Sequence, residues 1–316
     1  MSARALVLVL VLAGCTRPSG PPVGVTLVPV PDPAPPHEPH PAKEAEPPAD
    51  IVARSALPIT GVRVSDGATL TATQLFDELS RYEAVCIGES HDDPHHHYAE
   101  LALLEELARR SAHRGEQLGV GFEMFQAPFQ GALDAFAHGQ SDEAALLEHS
   151  EYAERWGFPF AFYRPLLEAA REHGLPLVAL NARRELTRSV ARRGLAGVPP
   201  ELQPELPELD MENAAHRQNF ERMMQEHPGH GSLDNYYAAQ VVWDETMAQR
   251  AAVFLAAGRP SRKLMIVAGL AHCTQPAVPG RIQRRSAAKT VSVMPSVGVP
   301  ANTDSYDYAL VMTPGE

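Results

Sequence analysis

Cysteine is scarce in this chain: three among 316 residues, at positions 15, 86 and 273. So few thiols exclude a scaffold held together mainly by disulfides. Positive charge is also short. A formal net charge of −12 argues against nucleic acid as a partner, because binding its phosphates requires a basic surface. No apolar run reaches the roughly 20 residues of a bilayer-spanning helix. No internal repeat is visible, which leaves out a stacked array.

What is present begins at the N-terminus, "MSARALVLVLVLAGC". Arg4 is a short positive flank, Ala5 to Leu12 an apolar segment, and Leu-Ala-Gly directly precedes Cys15. Residues 1–15 therefore read as a bacterial lipoprotein signal peptide ending in a lipobox, with Cys15 as the acylated (palmitate-carrying) residue of the mature chain. Several acyl chains would hold the protein to a membrane without a spanning helix. Thr16 stands where the inner-membrane retention signal places Asp, so the expected address is the outer membrane of the cell envelope. Residues 16–50 contain 12 prolines in 35 positions. This composition cannot bury a core, and the segment reads as a Pro-rich disordered tether. His37 and His40 fall within it and read as solvated. Residues 51–316 are long enough for one large domain. With Cys15 acylated, Cys86 and Cys273 remain; an exported compartment would permit their pairing, but two buried free thiols are the expectation.

Short apolar runs alternate with long amphipathic ones. Strands are expected at 84–88, 119–125, 175–181, 263–269, 290–294 and 308–312. Helices are expected near 94–112, 128–138, 141–150, 160–173, 183–194, 208–227 and 232–257. Near-continuous apolar strands separated by helices predict an α/β fold: a mainly parallel sheet flanked by helices. The helices of 128–173 and 208–257 exceed what crossovers need, and some of them are expected to form a smaller helical cap over one end of the sheet.

Parallel sheets present ligands outside the carboxyl ends of their strands. Here "AVCIG" runs into Glu89 and His91, "GVGF" into Glu123, "LVAL" into Asn181, and "LMIVAGLA" into His272. Carboxylates and imidazoles together suit either acid–base chemistry or a divalent metal. Either use makes Glu89, His91, Glu123 and His272 the catalytic candidates, and His91, His95, Glu123 and His272 the metal candidates. Singly each has a plainer reading, such as a core histidine at 272. Three consecutive histidines, 95–97, cannot all face one ligand on a helix starting at Pro94. His95 is expected toward the cleft, and at least one of His96 and His97 toward solvent. On 232–257, Tyr237, Gln240 and Asp244 at i, i+3 and i+7 share one face, expected to line a cavity. Arg281, Arg284 and Arg285 could meet anionic groups or simply be solvated.

The stretches "GESHDDPHHH" (88–97), "GFEMF" (121–125), "WGFPFAFYRPLLEAAREHGLPLVALN" (156–181), "YYAAQVVWDETMA" (236–248) and "VAGLAH" (267–272) followed by "PGRIQRR" (279–285) resemble, in order, the ChaN-like haem-binding lipoprotein family over roughly 82–286. That resemblance implies a surface-anchored haem-binding lipoprotein in iron uptake, with haem held at a homodimer interface by a tyrosine. Tyr98, Tyr163, Tyr236 and Tyr237 are eligible, Tyr163 and Tyr237 being those inside matching motifs. Arg164 or Arg281 would meet the propionates. The wider superfamily, erythromycin esterase-like hydrolases and TIKI/TraB-type peptidases, shares two G-x-x-H motifs and a glutamate. Here these are Gly88 to His91, Gly269 to His272, and Glu123, which makes a metal-dependent or acid–base hydrolase the alternative. The second motif departs from the usual G-x-G-H, reading "GLAHC".

Overall fold

The computed structural model describes residues 47–226 and 231–314; the signal peptide and nearly all of the tether lie outside the described residues. Among these, eight strands form one sheet: β1 (Ile59–Arg63), β2 (Ala68–Thr71), β3 (Ala84–Glu89), β4 (Gln117–Gln126), β5 (Leu177–Asn181), β6 (Arg262–Gly269), β7 (Thr290–Val297) and β8 (Tyr308–Met312), in the order β2-β1-β8-β7-β3-β6-β4-β5. From β8 to β5 every pairing is parallel, as the apolar runs predict. β1 joins antiparallel to both β2 and β8. This edge was not expected: "ITGVR" and "ATLT" are short, half polar and lack a long apolar run.

The period-two alternation of the central strands sorts side chains to two faces. Val85, Ile87, Met265 and Val267 enter one core cluster, under the helices Ala72–Leu79, Pro94–Arg114 and Arg164–Glu172. Ala84, Cys86, Leu264 and Ile266 face the other way, against Met247, Ala251 and Leu255 of the helix Leu233–Ala256 and Ile282 of the helix Val278–Ser286. The helix Pro94–Arg114 begins as the sequence suggests. Pro94 is its first residue, Asp93 caps it by accepting from the His95 amide at 2.9 Å, and Gly115 ends it in the left-handed region.

A third cluster joins Leu186 and Val190 of the helix Arg184–Arg193, Phe220 of the helix Ala214–Glu226, and Tyr237 and Val241 of the helix Leu233–Ala256. This is the smaller helical part. Of the helices from which the cap was expected, those between 130 and 172 instead bury Leu133, Phe136, Leu146, Leu166 and Leu167 in the first cluster. Among the described residues no helix is long and apolar enough to cross a membrane.

The two thiols are not free. Cys86 on β3 and Cys273 form a disulfide with Cα atoms 5.3 Å apart, overturning the expectation of free thiols. Alternation turns Cys86 to the face of the sheet where the turn following β6 brings Cys273 against it. Their sequence separation of 187 residues closes a long loop in the unfolded chain. Replacing both (Cys86→Ala with Cys273→Ala) should therefore lower the unfolding free energy by about 2–5 kcal/mol. Urea denaturation of the two forms checks this; coincident midpoints would contradict it.

Candidate functional site

Parallel pairing sets β3, β6 and β4 side by side with Ile87 opposite Val267, Glu89 opposite Gly269, and Phe122 opposite Val267 on the far side. Glu89, Glu123 and the Gly269-to-His272 turn therefore meet at one edge. The β4–β5 pairing jumps from Phe122–Ala179 to Gln126–Asn181, an irregularity that frees Glu123 from the ladder and redirects its side chain. The two motif glycines make room for each other's motif. A Cβ on Gly88 would lie 3.1 Å from the Leu270 backbone, and one on Gly269 would lie 3.0 Å from the His91 ring.

Glu89 is 2% exposed. Its Oε1 lies 2.6 Å from His91 Nδ1 and accepts from the Tyr163 hydroxyl at 2.9 Å, which in turn accepts from the Trp156 indole at 3.2 Å. Burial pushes Glu89 upward, but the charges of His97 and His91 outweigh it, and the carboxyl sits below its usual range. Burial pulls His91 down, while the bond to Glu89 and the charges of Glu89 and Glu123 raise it above its usual value. The motif "WGFPFAFY" packs here: Trp156 and Phe158 flank His91, each with ring centroids 4.8 Å away, and Phe162 stacks on His97 at 5.0 Å.

The second half of the site centres on His272. Its Nδ1 is 2.5 Å from Asp244 Oδ1 and its Nε2 3.2 Å from Glu123 Oε1, while Glu123 Oε2 accepts from the Gly269 amide at 2.7 Å. Burial alone would depress His272; the charges of Glu123 and Asp244 instead raise it to about 10. Burial would raise Glu123, yet the His272 charge brings it to about 2. Asp244, likewise buried, is held well below the carboxylate range by His272 and His216. Its Oδ2 reaches His216 Nε2 at 2.6 Å.

Over this edge opens a cavity of about 600 Å³, with Glu89, His91, His216, Gln240 and His272 among its polar lining and Phe220, Met223, Leu270 and Met294 among its apolar lining. Gln240 of the helical stripe lines it. Asp244 and Tyr237 lie just beneath, the Tyr237 hydroxyl 3.3 Å from His216 Nδ1.

Several expectations are corrected. His95 does not face the cleft: its Nδ1 is 2.9 Å from the Ser55 carbonyl. Neither His96 nor His97 faces solvent, at 8% and 0% exposed; His96 Nδ1 accepts from the Ser90 amide and His97 meets Glu89 and Glu100. The set His91, His95, Glu123 and His272 is therefore not assembled around one point, and both nitrogens of His272 already face carboxylates. Asn181, on the edge strand β5, does not line the cavity. Arg164 is bidentate on Glu143 at 2.7 and 2.8 Å. Arg281, 2% exposed, is ion-paired with Glu245, which also takes Arg284 and Arg285. The arginine cluster thus meets a carboxylate of its own chain. His216, His97 and Glu100 were not singled out from sequence as site residues. The last two stand at i, i+3 on the helix after the motif, and a Glu inside that helix's apolar face was the available signal.

The paired shifts set a pH window. His272 is raised from 6.5, so its contribution to stability is complete below that value and is lost as pH climbs toward 10. Glu123 is lowered from 4.5, so its share is complete above that value and is lost as pH falls toward 2. His272→Gln should cost about 3–5 kcal/mol near neutral pH by stranding two buried carboxylates, and should flatten the alkaline decline. Urea unfolding across this range checks both; an alkaline limb as steep in the variant as in the parent would sink the assignment.

The family model described as haem-binding uptake, Tiki superfamily, ChaN matches residues 75–282. A solved structure described as cofacial haem binding to ChaN of Campylobacter jejuni shares the fold, with a TM-score of 0.63 and 18% identity, covering 80% of this chain and 96% of that one. A mutant erythromycin esterase in its open conformation aligns with a TM-score of 0.44 at 14% identity, over 77% of this chain and 79% of that one. Protein RETICULATA-RELATED 5, chloroplastic, of Arabidopsis thaliana is 24% identical over 238 residues, 70% of this chain, which spans about a third (32%) of that protein's length. The match across about two thirds of the sequence, on the same α/β frame, makes this chain a member of the ChaN family of haem-binding uptake proteins in the Tiki superfamily.

Proposed function

We propose that the protein is a lipid-anchored haem carrier of the cell envelope that takes up haem as cargo and passes it on for iron acquisition. The observation that carries this reading is the cavity of about 600 Å³, mostly apolar in its lining surface and bearing the imidazoles of His91, His216 and His272, in a chain of a haem-binding family. Its size suits a cofactor-sized ligand. The Cys86–Cys273 disulfide supports an exported setting, and the lipobox at Cys15 supports an anchor, with the outer membrane as the proposed address. Haem shared between two copies, the arrangement implied by the family resemblance, would make the working unit a homodimer.

The ligand tyrosines fit poorly where they stand. Tyr163 is fully buried, donates to Glu89, and is held well above its usual value by burial and by that carboxylate's charge, so a phenolate is disfavoured there. Tyr237 is 1% exposed, raised by burial, and bonded beneath the cavity. Arg164 and Arg281 are committed to Glu143 and Glu245. Among cavity residues His91 fits better. Its Nδ1–H donates to Glu89, which leaves Nε2 to coordinate. Arg222 also lines the cavity and suits a propionate.

Hemin titration followed at the Soret band should saturate at one or two haems per chain, with dimerisation alongside. His91→Ala should weaken binding about tenfold or more, whereas Tyr163→Phe and Tyr237→Phe should leave it within about threefold. Loss of binding in a tyrosine variant instead would return the ligand to that hydroxyl and remove the His91 assignment. A second reading, acid–base hydrolysis, draws on the Glu89–His91 and Glu123–His272 pairs at the cavity. A flat hemin titration, with ester or peptide turnover that His91→Ala abolishes, would establish it in place of the first.

The anchor has its own test. Cys15→Ser should move the expressed chain from the membrane to the soluble fraction and abolish labelling by radioactive palmitate. Unchanged membrane partition and labelling would rule Cys15 out.

A further inference from the structure

On the side of Glu89 turned away from His91, three buried side chains direct acceptor atoms at one another. Glu89 Oε2 lies 3.2 Å from His97 Nδ1, and Glu100 Oε2 lies 2.9 Å from the same nitrogen. One ligand atom from each residue falls within 4.8 Å of the other two. Glu89 is 2% exposed, and His97 and Glu100 are fully buried. Among the described residues, Glu89 Oε2 and Glu100 Oε1 receive no hydrogen bond, which is rare for carboxylate oxygens out of reach of water.

His97 sharpens the question. Its Nε2 lies 3.1 Å from the His91 carbonyl oxygen. A carbonyl can only accept, so Nε2 carries hydrogen; the neutral ring then turns its lone pair on Nδ1 to both carboxylates, and only the protonated ring donates to them. With the ring neutral and both carboxyls ionised, two carboxylates and a lone pair meet with no donor among them. His91 offsets part of the charge from the other oxygen of Glu89, and the remainder is balanced by protons on Glu100 and His97 or by one divalent cation.

We propose that Glu89, His97 and Glu100 form a site for a single divalent transition-metal ion of the zinc, cobalt or manganese class. One imidazole with two carboxylates is a donor set such ions take. The 2.9 and 3.2 Å separations from His97 are those of neighbouring ligands each about 2.0–2.2 Å from a shared ion, and the two carboxylates, within 4.8 Å of one another, need close by no more than a few tenths of an ångström around it. The surroundings are those a metal ligand requires: the His91 carbonyl fixes the tautomer of His97, Phe162 stacks on its ring, and the Tyr163 hydroxyl holds the other oxygen of Glu89. His97 and Glu100 stand at i, i+3 on one helix face, so the helix presents both together. Glu89 also lines the cavity. The site differs from the set expected from sequence in replacing His91, His95, Glu123 and His272, and it does not depend on haem.

The test is calorimetric titration of the chelator-stripped full-length chain in detergent with Co²⁺, Zn²⁺ and Mn²⁺, without hemin. One ion per chain should bind with release of protons, at least about tenfold tighter near pH 8 than near pH 6. Glu100→Gln should weaken binding about 100-fold or more, while Glu201→Gln, at an exposed position, should not change it. X-ray absorption of the loaded parent chain should report one imidazole among oxygen ligands, and this decides the matter even where Glu100→Gln fails to fold. Absence of saturable binding by any of the three ions, binding indifferent to Glu100→Gln, or a shell without imidazole would overturn the proposal, leaving the two protons as the balancing charge.

Discussion

A carboxylate taken out of water has to be neutralised where it stands, and Glu89 is the carboxylate around which this molecule is arranged. It ends the central strand β3 at 2% exposure, where an uncompensated charge would cost several kcal/mol. Partners come from three directions: His91 from the following turn, His97 from the next helix, and Tyr163 from the aromatic segment 74 residues on. Each brings its neighbours. His91 draws in Trp156 and Phe158, and His97 draws in Phe162 and Glu100. The aromatic segment is thus seated by the needs of one buried charge as much as by its own apolar surface.

The second charge cluster repeats this logic with different parts. Asp244 and Glu123 hold His272 between them, and Asp244 also holds His216. Because β3, β6 and β4 are adjacent and parallel, the two clusters abut, with His91 feeling the charges of both Glu89 and Glu123. Their close approach depends on Gly88 and Gly269, since a methyl at either would meet the opposite motif at about 3 Å. The two G-x-x-H motifs therefore form one packed unit, in which each glycine is required by the other's histidine or following backbone.

The α/β frame was legible because its central strands are continuous apolar runs of ordinary length, and because Pro94 and Gly115 punctuate the first long helix. The strand-end residues were legible for the same reason: a polar residue directly after such a run has one place to go. The antiparallel edge was not, since β1 and β2 carry too few apolar residues to stand out from loop. Orientation within the histidine triplet is not legible either. Helical phase limits how many can share a ligand, but it does not reveal that Ser55, Ser90 and Glu100 await them separately. The fate of Arg281 was equally hidden, because a cluster of guanidinium groups looks the same whether it awaits a ligand or encloses a buried glutamate. The disulfide is the feature hidden most deeply. Pairing residues 187 apart is a property of which face alternation turns Cys86 toward, visible only once β3 and β6 are known to be neighbours.

That bond also orders events in time. Cys273 directly follows His272, so the crosslink ties the turn bearing this histidine to the sheet at Cys86. Before oxidation the turn is held by packing and charge alone, and His272 must find Glu123 and Asp244 unaided. Afterwards its backbone is fixed within a few ångströms of them. Assembly of the second cluster is coupled in this way to the redox history of the chain, and a molecule trapped reduced would carry the same sequence with a less settled site.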